Sequence, residues 1–95
     1  MITQEYLKQV FHYDPETGIF VRRKTGRVVA SYHNRGYIQI SIRRKTYVAH
    51  QAAWLYVYGE WPKNPIYHKD HDKANNRIKN LFMKVTSLES AIHKI

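Results

Sequence analysis

The run Ile66-Tyr67-His68-Lys69-Asp70-His71-Asp72-Lys73-Ala74-Asn75-Asn76-Arg77-Ile78-Lys79-Asn80-Leu81 gathers imidazoles, carboxylates and amides into a polar loop between two short apolar segments. An imidazole accepts a proton near neutral pH, and clustered oxygen donors can hold a divalent cation. Those are the parts of a site that hydrolyses a phosphodiester. The chain around the loop carries a net charge of +9, which favours an anionic ligand.

The elements that must position this loop are short. Thr3 is placed to cap a helix running through Phe11, with Glu5 near its positive end and Tyr6, Leu7, Val10 and Phe11 as its apolar stripe. Asp14-Pro15-Glu16-Thr17-Gly18 reads as a turn. Strands are expected over Ile19 to Arg23, Val28 to Tyr32 and Tyr37 to Ile42, with a turn at His33-Asn34-Arg35-Gly36. Arg43-Arg44-Lys45 reads as a basic hairpin tip before Thr46-Tyr47-Val48 returns, antiparallel because the links are too short for crossovers. Ala49 to Tyr58 changes to helical spacing, with Gly59 as its C′ residue. Ile66 to His68 is extended, Lys69 to Asn76 is the polar loop, and Ile78 to Val85 is a second strand. Thr86-Ser87-Leu88-Glu89 fits a capping box that opens a terminal helix.

No repeat, linker or low-complexity stretch divides the 95 residues, so one domain is expected, 1–48 forming a helix and basic sheet and 49–95 a helix with the loop unit. A hydrophobic content of 43%, with two Trp, eight Tyr and three Phe, argues for a folded core. The absence of Cys excludes disulfides and thiolate zinc sites. With no secretory h-region and no apolar run approaching the ~18 residues of a bilayer span, a cytoplasmic protein with no membrane partner is expected.

The charge is one-sided. No acidic residue lies between Glu16 and Glu60, whereas Arg22, Arg23, Lys24, Arg27, Arg35, Arg43, Arg44 and Lys45 all do. Such a field suits nucleic acid. Arg22, Arg23, Arg43, Arg44, Lys45, Arg77 and Lys79 are the candidate DNA contacts: the first five on the basic sheet and its tip, the last two flanking the loop and drawing phosphate towards His68. Singly, each is equally a solvated surface charge.

The order Tyr47-Val48-Ala49-His50-Gln51-Ala52-Ala53-Trp54, Gly59-Glu60-Trp61-Pro62, His68-Lys69-Asp70, Asn75-Asn76-Arg77-Ile78-Lys79-Asn80-Leu81, Val85-Thr86 resembles the HNH endonucleases of ββα-metal fold, in particular the small phage and intron-associated type. Tyr13-Asp14-Pro15-Glu16-Thr17-Gly18 and Gly36-Tyr37 resemble their N-terminal parts. The resemblance implies an α+β domain: an N-terminal helix, a small antiparallel sheet, a connecting helix and a C-terminal ββα unit. It places His68 as general base towards the attacking water and Asn80 as the central Asn that braces the loop and orients that His, with Asn75 and Asn76 closing the loop. It further implies a divalent cation, Mg or Mn, and double-stranded DNA as partner in the cytoplasm of a phage's host.

Two departures stand against cleavage. Tyr67 occupies the position of the first metal ligand, and a neutral phenol serves magnesium poorly. Ser90 follows Glu89 where the family has Asn, with one extra residue between Asn80 and Thr86; His93, three residues on, is the candidate metal ligand that shares its helix face. The competing reading is therefore a degenerate HNH module with no cofactor, binding DNA or a host protein as a phage-encoded inhibitor of a nucleic-acid enzyme or defence complex. A ribosomal or RNA contact ranks below both. His50 reads as a core His bonded to the sheet. Asp70, His71 and Asp72 read as a self-bracing loop, with His71 at positive φ.

Overall fold

The computed structural model describes residues 2–29 and 36–83. The order is α1 (Gln4–Val10), β1 (Phe11–Asp14), β2 (Ile19–Arg22), β3 (Gln39–Ile42), β4 (Lys45–Val48), α2 (Ala49–Tyr58), β5 (Ile66–His68), a 3-10 turn (Ile78–Asn80) and β6 (Leu81–Met83). The expected α+β class is borne out. Among the described residues the expected small sheet is two separate two-stranded antiparallel ladders, β1–β2 and β3–β4, and the two strands expected of the C-terminal unit form a third, β5–β6. Each strand is only three or four residues long, and the inward side chains of each ladder pack into a shared core with the helices.

Thr3 caps α1 as expected, its Oγ1 accepting from the Tyr6 amide at 3.1 Å. The helix stops one residue early, because Phe11 and Tyr13 point inward from β1 and pair with Arg22 and Phe20 across the ladder. Phe11 satisfies both the helical stripe and a two-residue alternation; only the partner strand breaks that tie. Of the strand expected over Val28 to Tyr32, an isolated Val21–Val28 bridge and the Val29 amide bonded to the Phe20 carbonyl at 2.9 Å are seen; its remainder and His33, Asn34 and Arg35 lie outside the described residues.

The β3–β4 hairpin is tighter than expected. Lys45 pairs with Ile42 as a strand residue, so the turn is Arg43-Arg44 alone. β4 runs directly into α2, whose first amide is satisfied by the Ile38 carbonyl at 2.8 Å and not by a side-chain cap. α2 buries Ala49, Ala52 and Ala53, whose small side chains let β4 and α1 approach closely, and it ends at Gly59 with φ 84°. The core joins these alanines to Leu7, Phe11, Tyr13, Phe20, Ile40, Ile42, Leu55, Ile66 and Leu81. Phe11 meets Phe20 edge to face, with centroids 5.9 Å apart.

The second strand of the C-terminal unit begins later than expected. Ile78–Asn80 form a 3-10 turn, and β6 starts at Leu81. The cause is tertiary: the Ile78 amide donates to the Pro15 carbonyl at 3.1 Å, tying it to the turn after β1 in place of a strand ladder. The chain from Lys84 onward, including the end of the expected strand, the terminal helix, Ser90 and His93, lies outside the described residues.

Candidate functional site

β5 and β6 pair Ile66 with Met83, Tyr67 with Phe82 and His68 with Leu81. Alternation along β5 turns Ile66 and His68 inward and leaves Tyr67 41% exposed, its ring stacked on Phe82 at 5.6 Å. His68 thus enters the protein at the last strand position, just where the loop begins.

The loop is built by its own polar side chains. Asp70 Oδ1 accepts from the Asp72 amide at 2.8 Å and from Asn80 Nδ2 at 2.9 Å, while Oδ2 accepts from Asn75 Nδ2 at 2.7 Å. These donors, the Asn75 amide foremost, hold the Asp70 carboxyl down at about 2. Asn80 uses its whole amide: Oδ1 accepts from the Asp70 amide at 3.1 Å, and Nδ2 also donates to the Asn75 carbonyl at 2.9 Å. His71 has φ 64°, in keeping with the expected tight path.

The residue touching the His68 ring is Asn76, not Asn80. Asn76 is 1% exposed, and its Oδ1 lies 2.9 Å from His68 Nε2. An amide oxygen only accepts, so Nε2 carries the proton and Nδ1 keeps its lone pair. Asn80 shapes the loop; Asn76 fixes the tautomer.

Sequence reading missed what holds Asn76. The Tyr13 hydroxyl donates to the Asn76 carbonyl inside the protein, and burial raises the Tyr13 pKa, which keeps the phenol a donor. Gly18, at φ 76°, lies so close beneath Asn76 and Arg77 that a Cβ there would collide with their backbone. Arg77 Nε donates to the Glu16 carbonyl at 3.1 Å, beside the Ile78–Pro15 bond. The turn joining β1 to β2 is therefore a clamp on the far end of the loop. The Tyr13-to-Gly18 segment was visible in the sequence as a motif, but its partner sixty residues away was not.

His68 also lines a cleft of about 430 Å³ with Tyr37, His50, Gln51, His71 and Lys73 among its walls. His50, on the first turn of α2, meets the His68 ring edge to face at 5.0 Å and the Tyr37 ring at 5.4 Å. It is 7% exposed and buried as expected, but its Nδ1 has no hydrogen-bond partner, so the expected bond to the sheet is not seen there. Burial first, and the neighbouring His68 second, lower its pKa from 6.5 to about 4. His50 is a neutral ring at physiological pH.

The basic candidates separate into two groups. Arg22 donates to the Ser41 carbonyl at 3.0 Å and lies over the Phe11 ring; Arg23 donates to the Lys8 carbonyl at 2.6 Å; Arg43 donates to the Tyr6 hydroxyl at 3.0 Å; Arg77 is tied to the β1–β2 turn and to Asn75. These four are bound up in the fold. Arg44, Lys45 and Lys79 are exposed and have no such partner among the described residues.

Among the described residues there is no group of three or more His, Cys, Asp or Glu that could hold a metal ion. Tyr67 faces outward with Phe82, and Asp70 has both oxygens bonded within the loop. The donor set described does not fit a divalent cation. No described helix is long and apolar enough to cross a membrane.

Residues 47–89 match the family model described as HNH endonuclease. A solved structure of the HNH homing endonuclease I-HmuI, from work on its DNA binding and cleavage, superimposes with a TM-score of 0.61 at 23% identity, covering 88% of this chain and 51% of that one. That likeness shows the fold, and the chain spans about half the length of the endonuclease it matches. Comparison with the curated proteins gave no match. The resemblance carried by the motif order is thus borne out over residues 47–89, the stretch that is similar to the HNH endonuclease family.

Proposed function

We propose that this chain is a phage-type, HNH endonuclease-like protein that binds double-stranded DNA and uses His68 as the base in phosphodiester hydrolysis. The observation that carries the reading is the His68–Asn76 bond, which leaves Nδ1 as the proton acceptor on a ring lining an open cleft. Nδ1 takes a proton from water, the resulting hydroxide attacks phosphorus, the P–O bond to the leaving strand oxygen breaks and that oxygen is protonated from solvent, while the imidazolium is stabilised through Nε2–H on the Asn76 oxygen. Lys79 beside the loop, with Arg44 and Lys45 on the hairpin, supplies positive charge for the phosphate backbone.

In this family a divalent cation, Mg or Mn, stabilises charge on the phosphate and leaving oxygen. Because the described residues do not fit one, no step above is routed through it; His93 is the ligand we propose from the segment beyond Met83. The test is a plasmid nicking assay with Mg²⁺, Mn²⁺ or EDTA on the natural chain and His68→Ala. Metal-dependent nicking lost in His68→Ala is the expected result. Nicking that survives the substitution overturns the role of His68.

A second reading is favoured by Tyr67. Its ring stacks on Phe82 where a metal ligand is expected. In this reading the chain works in the host cytoplasm as a binder without a cofactor, inhibiting a host nucleic-acid enzyme or defence complex. DNA binding without cleavage under every metal condition would select it.

A further inference from the structure

The turn of the β3–β4 hairpin consists of two arginines, Arg43 at φ 50° and Arg44 at φ 66°. A two-residue hairpin turn with both φ values positive is the arrangement for which Asn-Gly is the favoured pair. Arginine has a Cβ and a long side chain and gains nothing locally from the left-handed region. Two consecutive residues of this type at such a turn weaken the hairpin relative to the small residues that fit it, and strain of this kind collects at functional positions.

The two side chains are treated differently by their surroundings. Arg43 is anchored: its guanidinium lies 4.4 Å from the centre of the Tyr6 ring, and its Nε donates to the Tyr6 hydroxyl at 3.0 Å. This fastens the turn to the start of α1. Among the described residues Arg44, which is exposed, has no partner, and neither it nor Lys45 is ion-paired with a carboxylate. The cleft between the turn and α1 is lined by Thr3, Tyr6, Ile42, Arg43, Lys45 and Tyr47, with no acidic side chain.

We propose that the Arg43-Arg44 turn is a dedicated DNA-contact element, in which Arg43 is the strut that fixes the turn on Tyr6 and Arg44 delivers its charge to a duplex phosphate. The proposal rests on the DNA-binding reading above. Stability is given up at this turn to place a cation where the fold itself has no use for one.

The test separates strain from charge at Arg44. Arg44→Gly removes both, Arg44→Gln removes the charge alone, and Arg44→Lys keeps the charge. Each full-length variant is compared by thermal melting and by titration onto a labelled duplex across a salt series. Arg44→Gly is expected to raise the melting temperature by roughly 4 °C or more while weakening binding and lowering the salt slope by about 1. Arg44→Gln is expected to weaken binding to the same extent without the gain in stability, and Arg44→Lys to retain the salt slope. Unchanged affinity and slope in Arg44→Gly and Arg44→Gln overturn the contact, and a melting temperature lowered by glycine overturns the strain. Binding of poly-glutamate as tight as duplex, lost in Arg44→Gln, assigns the turn to an acidic protein and also overturns the proposal. A natural chain that binds no DNA at low salt instead overturns the underlying reading.

Discussion

His68 and Asn76, eight residues apart, face each other across the neck of a polar loop, ring Nε2 to amide Oδ1 at 2.9 Å, and both are buried. The pair decides which imidazole nitrogen keeps its lone pair. Asn76→Ala is expected to leave the fold intact while releasing the ring to either tautomer. In ¹⁵N spectra of the histidine side chains, His68 should change from an Nε2–H form to a mixture of tautomers. An unchanged His68 spectrum would remove Asn76 from the site.

The clamp from the β1–β2 turn gives a second expectation. Tyr13→Phe removes the hydroxyl bonded to the Asn76 carbonyl and leaves a buried acceptor unsatisfied. A loss of about 1–3 kcal/mol is expected in denaturant unfolding. Because the lost bond is to the residue that orients His68, the same His68 tautomer signal should broaden. A stability loss with an untouched His68 signal would show that the clamp is only structural.

Gly18→Ala should be the more severe change. Its Cβ would meet the Asn76 and Arg77 backbone, and φ 76° is unfavourable for alanine. Neither neighbour is a flexible side-chain end, so a cost of about 3 kcal/mol or more is expected, enough to unfold much of a small domain's population. A variant melting within a degree or two of the natural chain would refute the close approach.

His50 sets an acid limit on stability. Its folded pKa is depressed from 6.5 to about 4, so between those values the unfolded chain binds more protons than the folded one. Stability is therefore full above the unfolded value and is lost as pH falls from about 6.5 towards 4, by up to about 3 kcal/mol. Asp70, also depressed, adds a separate loss only below its ordinary 3.8. Replacing the ring with an apolar one, His50→Phe, should flatten the upper window and leave the lower. A pH–stability curve of His50→Phe parallel to that of the natural chain would sink this assignment.

If the natural chain binds DNA without cutting it, Tyr67→Asp with Ser90→Asn should bring metal-dependent nicking, since these changes restore oxygen ligands at both altered positions. Titration of Mn²⁺ by calorimetry gives a readout that does not depend on cleavage. No cleavage and no added metal affinity would mean that the site lacks more than two ligands.

Much of this protein is set by local chemistry and is legible in the chain. Thr3 and Gly59 mark helix ends because one supplies a capping oxygen and the other tolerates a left-handed backbone. The polar run from His68 to Asn80 is a loop that braces itself, since Asp70, Asn75 and Asn80 are near enough in sequence to bond one another. The order of these pieces was enough to show the resemblance to the HNH endonucleases that the match over residues 47–89 bears out. Three things came only from the tertiary structure. Phe11 left the helix because a partner strand at Ile19–Arg22 was there to receive it. Ile78 left its expected strand because its amide found the Pro15 carbonyl. Asn76, and not Asn80, reached the His68 ring because Tyr13 and Gly18, distant in sequence, hold its backbone in place. Short-range bonds are encoded by spacing along the chain, whereas each of these depends on a group that arrives only when the chain has folded.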